Sequence, residues 1–150
     1  MTPDAVDLSL LRALIADGSL TAKAAGEAAG VSQPVAWRRI RRMEEAGVIR
    51  RRVALDRAKL GYEVTVFMGV KLAAKGRLRA DEFERAVAAI PEVQLVQHVL
   101  GVYDYRLKVV ARDLADFERI LRRRIMTLPG VGEVESNVLL SEEKAGPPPI

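Results

Sequence analysis

Arginine is concentrated in one short stretch of the N-terminal half, where four of the five residues from 38 to 42 are arginines. A guanidinium is a planar fork of N–H donors that fits a phosphate and can also read guanine O6 and N7. The stretch follows Ser32 and Pro34, a pair typical of a helix start, where free backbone amides favour an anion. The residue types and their spacing predict recognition of a nucleic acid. The candidate DNA contacts are Ser32, Gln33, Val35, Trp37, Arg38, Arg39, Arg42, Arg50 and Arg51.

These candidates have different expected roles. Ser32 is expected to cap the helix and to contact a phosphate, while Gln33 and Val35 are expected to read base edges. Trp37 either faces DNA or a partner, or packs at the edge of the domain. An arginine-rich helix face is also compatible with simple solvation, so the neighbouring elements decide between the two interpretations.

Three helices are predicted to position this stretch. The first spans 4–15 and the second Ala22–Ala29, capped by Thr21. The third starts after a cap at Ser32 and runs to about Ala46, with Gly47 in the left-handed position behind it. Ala36, Ile40 and Met43 recur at helical spacing and are expected to pack on the other two helices, while Ala25 and Gly26 allow a close helix crossing. Residues 50–55 are expected to form a strand or a short wing. This arrangement is typical of a helix-turn-helix.

Charge and composition agree with that interpretation. Residues 1–60 hold 11 Lys and Arg against 7 Asp and Glu, whereas residues 61–150 hold 13 of each. The whole net charge of +4 therefore lies in the first part, as expected for contact with a polyanion. Cysteine is absent, which excludes thiolate metal sites and cysteine nucleophiles. We expect no membrane span and no signal peptide, and therefore a cytoplasmic protein.

The second half has a different periodicity. Alternating apolar residues predict a strand over Val64–Leu72, followed by a helix over 81–89 with Phe83, Val87 and Ile90 inward. Two strands are predicted over 93–100 and 106–110. A helix over 114–126 with Leu114, Phe117 and Leu121 inward and a strand over 131–140 complete the chain. Similar segments, Asp81–Arg85 before Pro91 and Asp116–Arg119 before Pro129, suggest two β-α-β halves.

The two halves together resemble the Lrp/AsnC (feast/famine) family of regulators from about Asp7 to Glu143. The segments that carry the resemblance are 7–11, 30–32, 38–44, 47–49, 101–105 and 128–131. The resemblance implies an α+β fold with an N-terminal winged helix-turn-helix and a C-terminal ferredoxin-like βαββαβ domain. It also implies double-stranded DNA as partner, and homodimers formed sheet on sheet that often assemble into octamers. The second sheet face, with Phe67, Gly69, Val109 and Leu139, is apolar enough to be covered.

The family resemblance further implies a small effector, usually an amino acid, bound near a hairpin and the last strand. The matching residues are His98, Leu100, Gly101, Val102, Tyr103, Asp104, Asn137, Val138 and Leu139. Asp104 either holds an α-ammonium group or stabilises its own turn. Leu100 and Val102 replace a hydroxyl and a polar residue that are common in the family, so the effector is either unusual or absent. His98 is the only histidine, which favours packing over metal binding.

The sequence thus predicts a DNA-binding domain over 1–60, an effector-sensing and oligomerisation domain over 61–143 and a disordered tail over 144–150. No catalytic residue, metal or cofactor is expected. Two alternatives stay open: an enzyme of the siroheme decarboxylase type on the same architecture, and an adaptor whose basic helix binds acidic proteins. A transcription regulator that responds to an amino-acid-like effector is the favoured interpretation.

Overall fold

The computed structural model describes residues 1–73, 77–146 and 149–150. The chain divides into two compact units, Met1–Ala54 with Lys144–Ile150, and Leu55–Glu143. The prediction of a disordered tail falls in part on Pro147 and Pro148, which lie outside the described residues. Within the described ranges, every helix is too short or too polar to cross a bilayer.

The N-terminal unit is built from three helices: α1 (Ala5–Ala16), α2 (Ala22–Ala29) and α3 (Gln33–Glu45). Thr21 caps α2 through its side chain, as predicted, and Gly47 has the left-handed φ of +72° expected after α3. The three helices enclose a small core, which confirms the inward positions predicted for α3. The buried apolar residues are Leu10, Ala25, Ala36, Ile40 and Met43.

Two local predictions in this unit need correction. Ser32 is the N-cap residue of α3, as predicted, but its side chain makes no capping hydrogen bond. Residues 50–55 form no strand. A strand needs a neighbour to accept its backbone hydrogen bonds, and no described segment forms a ladder with these residues. The segment behind α3 is therefore an exposed arm rather than a wing strand.

The C-terminal unit contains a four-stranded antiparallel sheet and two helices. A short 3₁₀ turn, Ala58–Leu60, precedes them. The elements are β1 (Val64–Leu72), α4 (Arg77–Ala88), β2 (Val93–His98), β3 (Tyr105–Ala111), α5 (Leu114–Ile120), which continues as a π-helical turn over Leu121–Ile125, and β4 (Val131–Val138). The strand order in space is β2-β3-β1-β4. This is the predicted βαββαβ arrangement, and the α+β fold class is confirmed.

The core of this unit lies between the helices and one face of the sheet. Phe83, Val87 and Ile90 are buried there as predicted. Leu114 was expected inward but is 58% exposed, because α5 starts at this residue; Ile120 and Ile125 are buried instead. Val109 was expected on the second sheet face, but it pairs with Val66 and is fully buried in the core. The neighbouring Val110 is the residue that lies on the second face, since successive side chains alternate.

Candidate functional site

The N-terminal turn of α3 presents an exposed surface. Ser32 and Gln33 are exposed and Val35 is half-buried. At 100° per residue, Val35, Arg38 and Arg42 fall on one face of the helix. Arg38 is exposed, and it has no ion-pair partner among the described residues. This face therefore combines free backbone amides with a cation directed to solvent, which suits a phosphate or a base edge.

Arg39 has a different environment from the one predicted. Its Nη1 donates to Asp4 Oδ2 at 2.7 Å and to Asp7 Oδ1 at 2.9 Å, and only 27% of its side chain is exposed. The hydrogen bond from Arg39 is the main reason that the pKa of Asp4 is lowered, and Asp4 in turn raises the pKa of Arg39. The structure therefore gives Arg39 a role in joining α1 to α3, while its contact with DNA stays a prediction.

Arg42 shares the same carboxylate. Its Nη2 donates to Asp7 Oδ2 at 2.8 Å, yet 54% of the Arg42 side chain remains exposed. Asp7 itself is fully buried and also accepts a hydrogen bond from the Asp4 backbone amide at 3.1 Å. One buried carboxylate of α1 therefore holds two arginines of α3.

Sequence reasoning missed this use of Asp4 and Asp7. The signal was present, because Asp4 and Asp7 are three residues apart at the start of α1 and form a reciprocal capping box. Asp7 also lies three residues before the buried Leu10, so it faces the core side of α1. An acidic residue on that stripe needs a cationic partner, and the arginines of α3 supply it.

Trp37 lies at the edge of a cleft of about 560 Å³. It is 53% exposed, and the Arg41 guanidinium sits 5.4 Å above the ring while its Nε pairs with Glu45 at 3.0 Å. Trp37 thus contacts Arg41 at the edge of the domain, and its contact with DNA stays a prediction. Residues that line the cleft include Leu20, Thr21, Ile40, Glu44 and Arg51.

The arginines behind α3 also differ from one another. Arg51 pairs with Glu44 through Nε at 2.8 Å and donates from Nη1 to the Gly18 carbonyl at 3.1 Å. Arg50 is exposed and forms no ion pair within the described part of the chain. Arg50 therefore keeps its charge available to a partner, whereas Arg51 braces the arm against the helices.

In the C-terminal unit, Asp104 holds the start of β3 to β1. Its carboxylate Oδ2 accepts a hydrogen bond from the Leu72 amide at 2.8 Å, and its own amide donates to the Val70 carbonyl at 3.0 Å. Its carbonyl accepts from Val99 at 2.9 Å. The sequence suggested a carboxylate that stabilises its own turn. The Asp104 carboxylate instead bonds to β1, and the backbone hydrogen bond between Val99 and Asp104 closes the turn. Ammonium binding by Asp104 stays a prediction.

Tyr103 lies over β1 on the second sheet face. A Cβ on Gly69 would come within 2.6 Å of the Tyr103 ring, so glycine is what lets the ring lie flat on the strand. The Tyr103 hydroxyl donates to Glu135, and Asn137 Nδ2 donates to the same carboxylate at 2.9 Å. The hydrogen bond to Glu135 raises the pKa of Tyr103, while Asn137 and then Tyr103 lower the pKa of Glu135. Two of the predicted effector residues, Tyr103 and Asn137, are thus brought together around Glu135.

The hairpin tip and the end of the last strand are not brought together. Leu100 and Val102 are exposed at 106% and 77%, and Gly101 has open space around it. Val138 lies opposite Val66 and the Leu139 amide bonds to Thr65, whereas Asp104 bonds to Val70 and Leu72. Five residues of β1 separate these positions, a distance of about 17 Å. His98 stacks on Tyr105 with ring centroids 4.8 Å apart and remains exposed to solvent.

Two family models match the chain, one for each unit. Residues 3–50 match a winged helix-turn-helix DNA-binding model, and residues 65–149 match the Lrp/AsnC ligand binding domain. The fold and the exposed arginine face of α3 thus define a DNA-binding regulator with a separate ligand-binding domain.

Relatives of known description agree. A leucine-responsive regulatory protein of Rhizobium meliloti is 33% identical over 142 residues, which cover 94% of this chain and 91% of that protein. An AsnC family transcriptional regulator from Agrobacterium tumefaciens superposes with a TM-score of 0.87 at 34% identity, covering 96% of this chain and 94% of the other. A transcriptional regulator of Neisseria meningitidis, solved in complex with L-Met, gives 0.90 at 26% identity, covering 97% and 94%. The chain belongs to the Lrp/AsnC family of transcriptional regulators.

Proposed function

We propose that this regulator binds double-stranded DNA by placing the exposed face of α3 in the major groove. Arg38 is the principal cationic contact, Gln33 and Val35 meet base edges, and the amides behind Ser32 meet a phosphate. Arg42 contributes through the donors that Asp7 leaves unused, and Arg50 contacts the backbone from the arm. The observation that carries the proposal is the exposed Arg38 beside the N-terminal turn of α3, which forms no ion pair with any described residue.

The ion pairs of Arg39 and Arg42 distinguish their roles from that of Arg38. The sequence predicted that Arg38, Arg39 and Arg42 all contribute to DNA affinity. Arg39 is committed to Asp4 and Asp7, so its loss is expected to act first on the packing of α1 against α3. Arg38 forms no ion pair with any described residue, so its loss is expected to lower the affinity for DNA without affecting the packing of the helices.

The test is fluorescence anisotropy across a salt series, with a genomic duplex selected by the wild-type protein. Arg38→Ala is expected to weaken binding about tenfold for each α3 that contacts a half-site, and to reduce the salt slope by about 0.9 for each phosphate contact that is lost. Arg123→Ala is the matched control, because it removes one exposed arginine from the C-terminal unit. Equal effects of the two variants, or an unchanged affinity for Arg38→Ala, would show that this face of α3 does not recognise DNA.

We further propose that the C-terminal unit pairs two subunits and senses a small, amino-acid-like effector. The description of the matching family model and the L-Met complex of the Neisseria meningitidis relative support a ligand. Because Asp104 and Leu139 lie at opposite ends of β1, we propose that residues from two subunits together complete the pocket. The second sheet face offers Phe67, half-buried, and Leu95, 40% exposed, for that contact. Sedimentation velocity, with and without single amino acids, measures both the assembly and its response.

The enzyme alternative is not favoured. The relatives of this chain are named as transcriptional regulators, and residues 3–50 match a winged helix-turn-helix DNA-binding model. We therefore propose a regulator without catalytic activity that acts in the cytoplasm, where its DNA lies.

A further inference from the structure

Asp7 is a fully buried carboxylate at the junction of α1 and α3. Its Oδ1 accepts from Arg39, and its Oδ2 accepts from Arg42 and from the Asp4 amide. A buried charge is tolerated only when it is paired and hydrogen-bonded, and Asp7 meets both conditions through α3. The contact therefore ties both arginine side chains of α3 to the carboxylate of α1.

The two arginines are left in different states by this contact. Arg39 uses one nitrogen for both Asp4 and Asp7, and about a quarter of its side chain is exposed, at 27%. Arg42 gives only Nη2 to Asp7 and keeps 54% of its side chain exposed. A guanidinium has five N–H donors, so Nε and Nη1 of Arg42 remain for an outside acceptor. Asp7 therefore orients Arg42 and leaves part of its hydrogen-bonding capacity for a ligand.

The position of Arg42 on α3 places its guanidinium on the same face as that of Arg38. Arg42 is four residues after Arg38, so the two guanidinium groups leave the same face of α3 one turn apart. A free arginine loses considerable rotamer entropy when it is ordered on a ligand, and a held one has lost part of it beforehand. A pre-oriented Arg42 therefore favours a ligand whose acceptors stand at a fixed place.

We infer that Asp7 is a positioning residue for sequence recognition: it orients Arg42 so that the specific site is preferred over other DNA. This inference rests on the proposed function, since it needs α3 to contact DNA. Asp7 touches no DNA in this account. Its effect on specificity passes through Arg42.

The substitution Asp7→Asn keeps nearly the same shape but leaves one acceptor oxygen where the carboxylate has two. It can no longer hold Arg39 and Arg42 on separate oxygens, and it removes one negative charge from this part of the protein. Binding to a scrambled duplex is therefore expected to hold or to rise, because that binding depends on net charge. Binding to the selected site is expected to fall, so that the ratio of the two affinities drops about fivefold to tenfold.

The measurement is anisotropy of the full-length protein on a wild-type-selected duplex and on a scrambled duplex of equal length. Asp4→Asn is the matched control, because Asp4 contacts Arg39 but not Arg42. It is expected to leave the affinity ratio unchanged. A double-mutant cycle with Arg42→Ala completes the set, and Asp7→Asn is expected to have no further effect on the ratio in that background.

A second measurement needs no substitution at Asp7. In the free wild-type protein, ¹⁵N relaxation of the arginine Nε–H groups is expected to show Arg42 ordered and Arg38 mobile. Equal mobility of the two side chains would overturn the inference even if Asp7→Asn failed to fold. A loss of affinity by Asp7→Asn that is equal on both duplexes, or that persists in the Arg42→Ala background, would overturn it too. Failure of the wild type to distinguish the two duplexes would instead refute the proposed function.

Discussion

Gly26 offers a test in which two physical effects have opposite signs. It lies inside α2, where alanine in place of glycine gains about 1 kcal/mol from helix propensity alone. The same substitution adds a Cβ that would lie 2.8 Å from the Val31 carbonyl oxygen and 3.1 Å from the Ala36 Cβ. The first of these neighbours is backbone, which cannot swing aside as a long side chain would.

The steric effect is expected to be larger. Overpacking of a tight contact costs about 1–3 kcal/mol, so Gly26→Ala is expected to destabilise the N-terminal unit by roughly 1 kcal/mol after the gain in propensity. For a small domain that corresponds to a loss of about 4–8 °C in Tm. DNA affinity is expected to fall as well, because the Val31 carbonyl belongs to the turn that leads into α3.

The assay is thermal unfolding of the full-length protein, with amide hydrogen exchange to assign the loss to α2 and α3. Gly18→Ala is the matched control, since a Cβ there would meet only the Leu14 carbonyl at 3.8 Å. This control is expected to stay within about 0.5 kcal/mol of wild type. A Gly26→Ala protein that is more stable than wild type would refute the close crossing of α2 and α3.

Two further predictions concern the C-terminal unit. Glu135→Gln is expected to lower the pKa of Tyr103, because the hydrogen bond to that carboxylate is the main cause of its increase; absorbance titration of the phenols checks this, and an unchanged titration would place the Tyr103 hydroxyl elsewhere. The pKa of Asp116 is lowered, first by the hydrogen bond from Arg119 and then by the hydrogen bond from the Arg112 amide. The ionised Asp116 therefore stabilises the folded protein above about pH 4, and this stabilisation is lost as the pH falls below that value. Asp116→Asn is therefore expected to lower Tm at pH 7 but to lose less than wild type between pH 5 and pH 3, and parallel Tm curves for the two proteins would contradict this.

Much of the fold could be predicted because local signals agreed with the tertiary structure. The alternation in Val64–Leu72 gave the bounds of β1, and Thr21 marked the start of α2. The register was harder in β3, where Val109 and Val110 are adjacent and both apolar. A shift of one residue exchanges the two faces of a strand, and only pairing with β1 shows that Val109 faces the core.

The candidate site was predictable in its location but not in its internal contacts. The arginines of α3 stand out in the sequence as a group. Their separate roles depend on Asp4 and Asp7, which lie 32 to 35 residues away and reach them only through the packing of α1. In the same way, the structural role of Asp104 depends on the Leu72 amide, 32 residues earlier, which no local pattern reveals.

The most direct test of the central claim, that α3 reads DNA from the major groove, is interference by methylation of guanine N7. A guanidinium that reads guanine approaches N7, which lies in that groove. We predict that methylation blocks binding at guanines grouped in two half-sites about 10 bp apart, or a multiple of that, as two paired α3 helices require. Binding that tolerates methylation at every guanine of the protected region would contradict the claim.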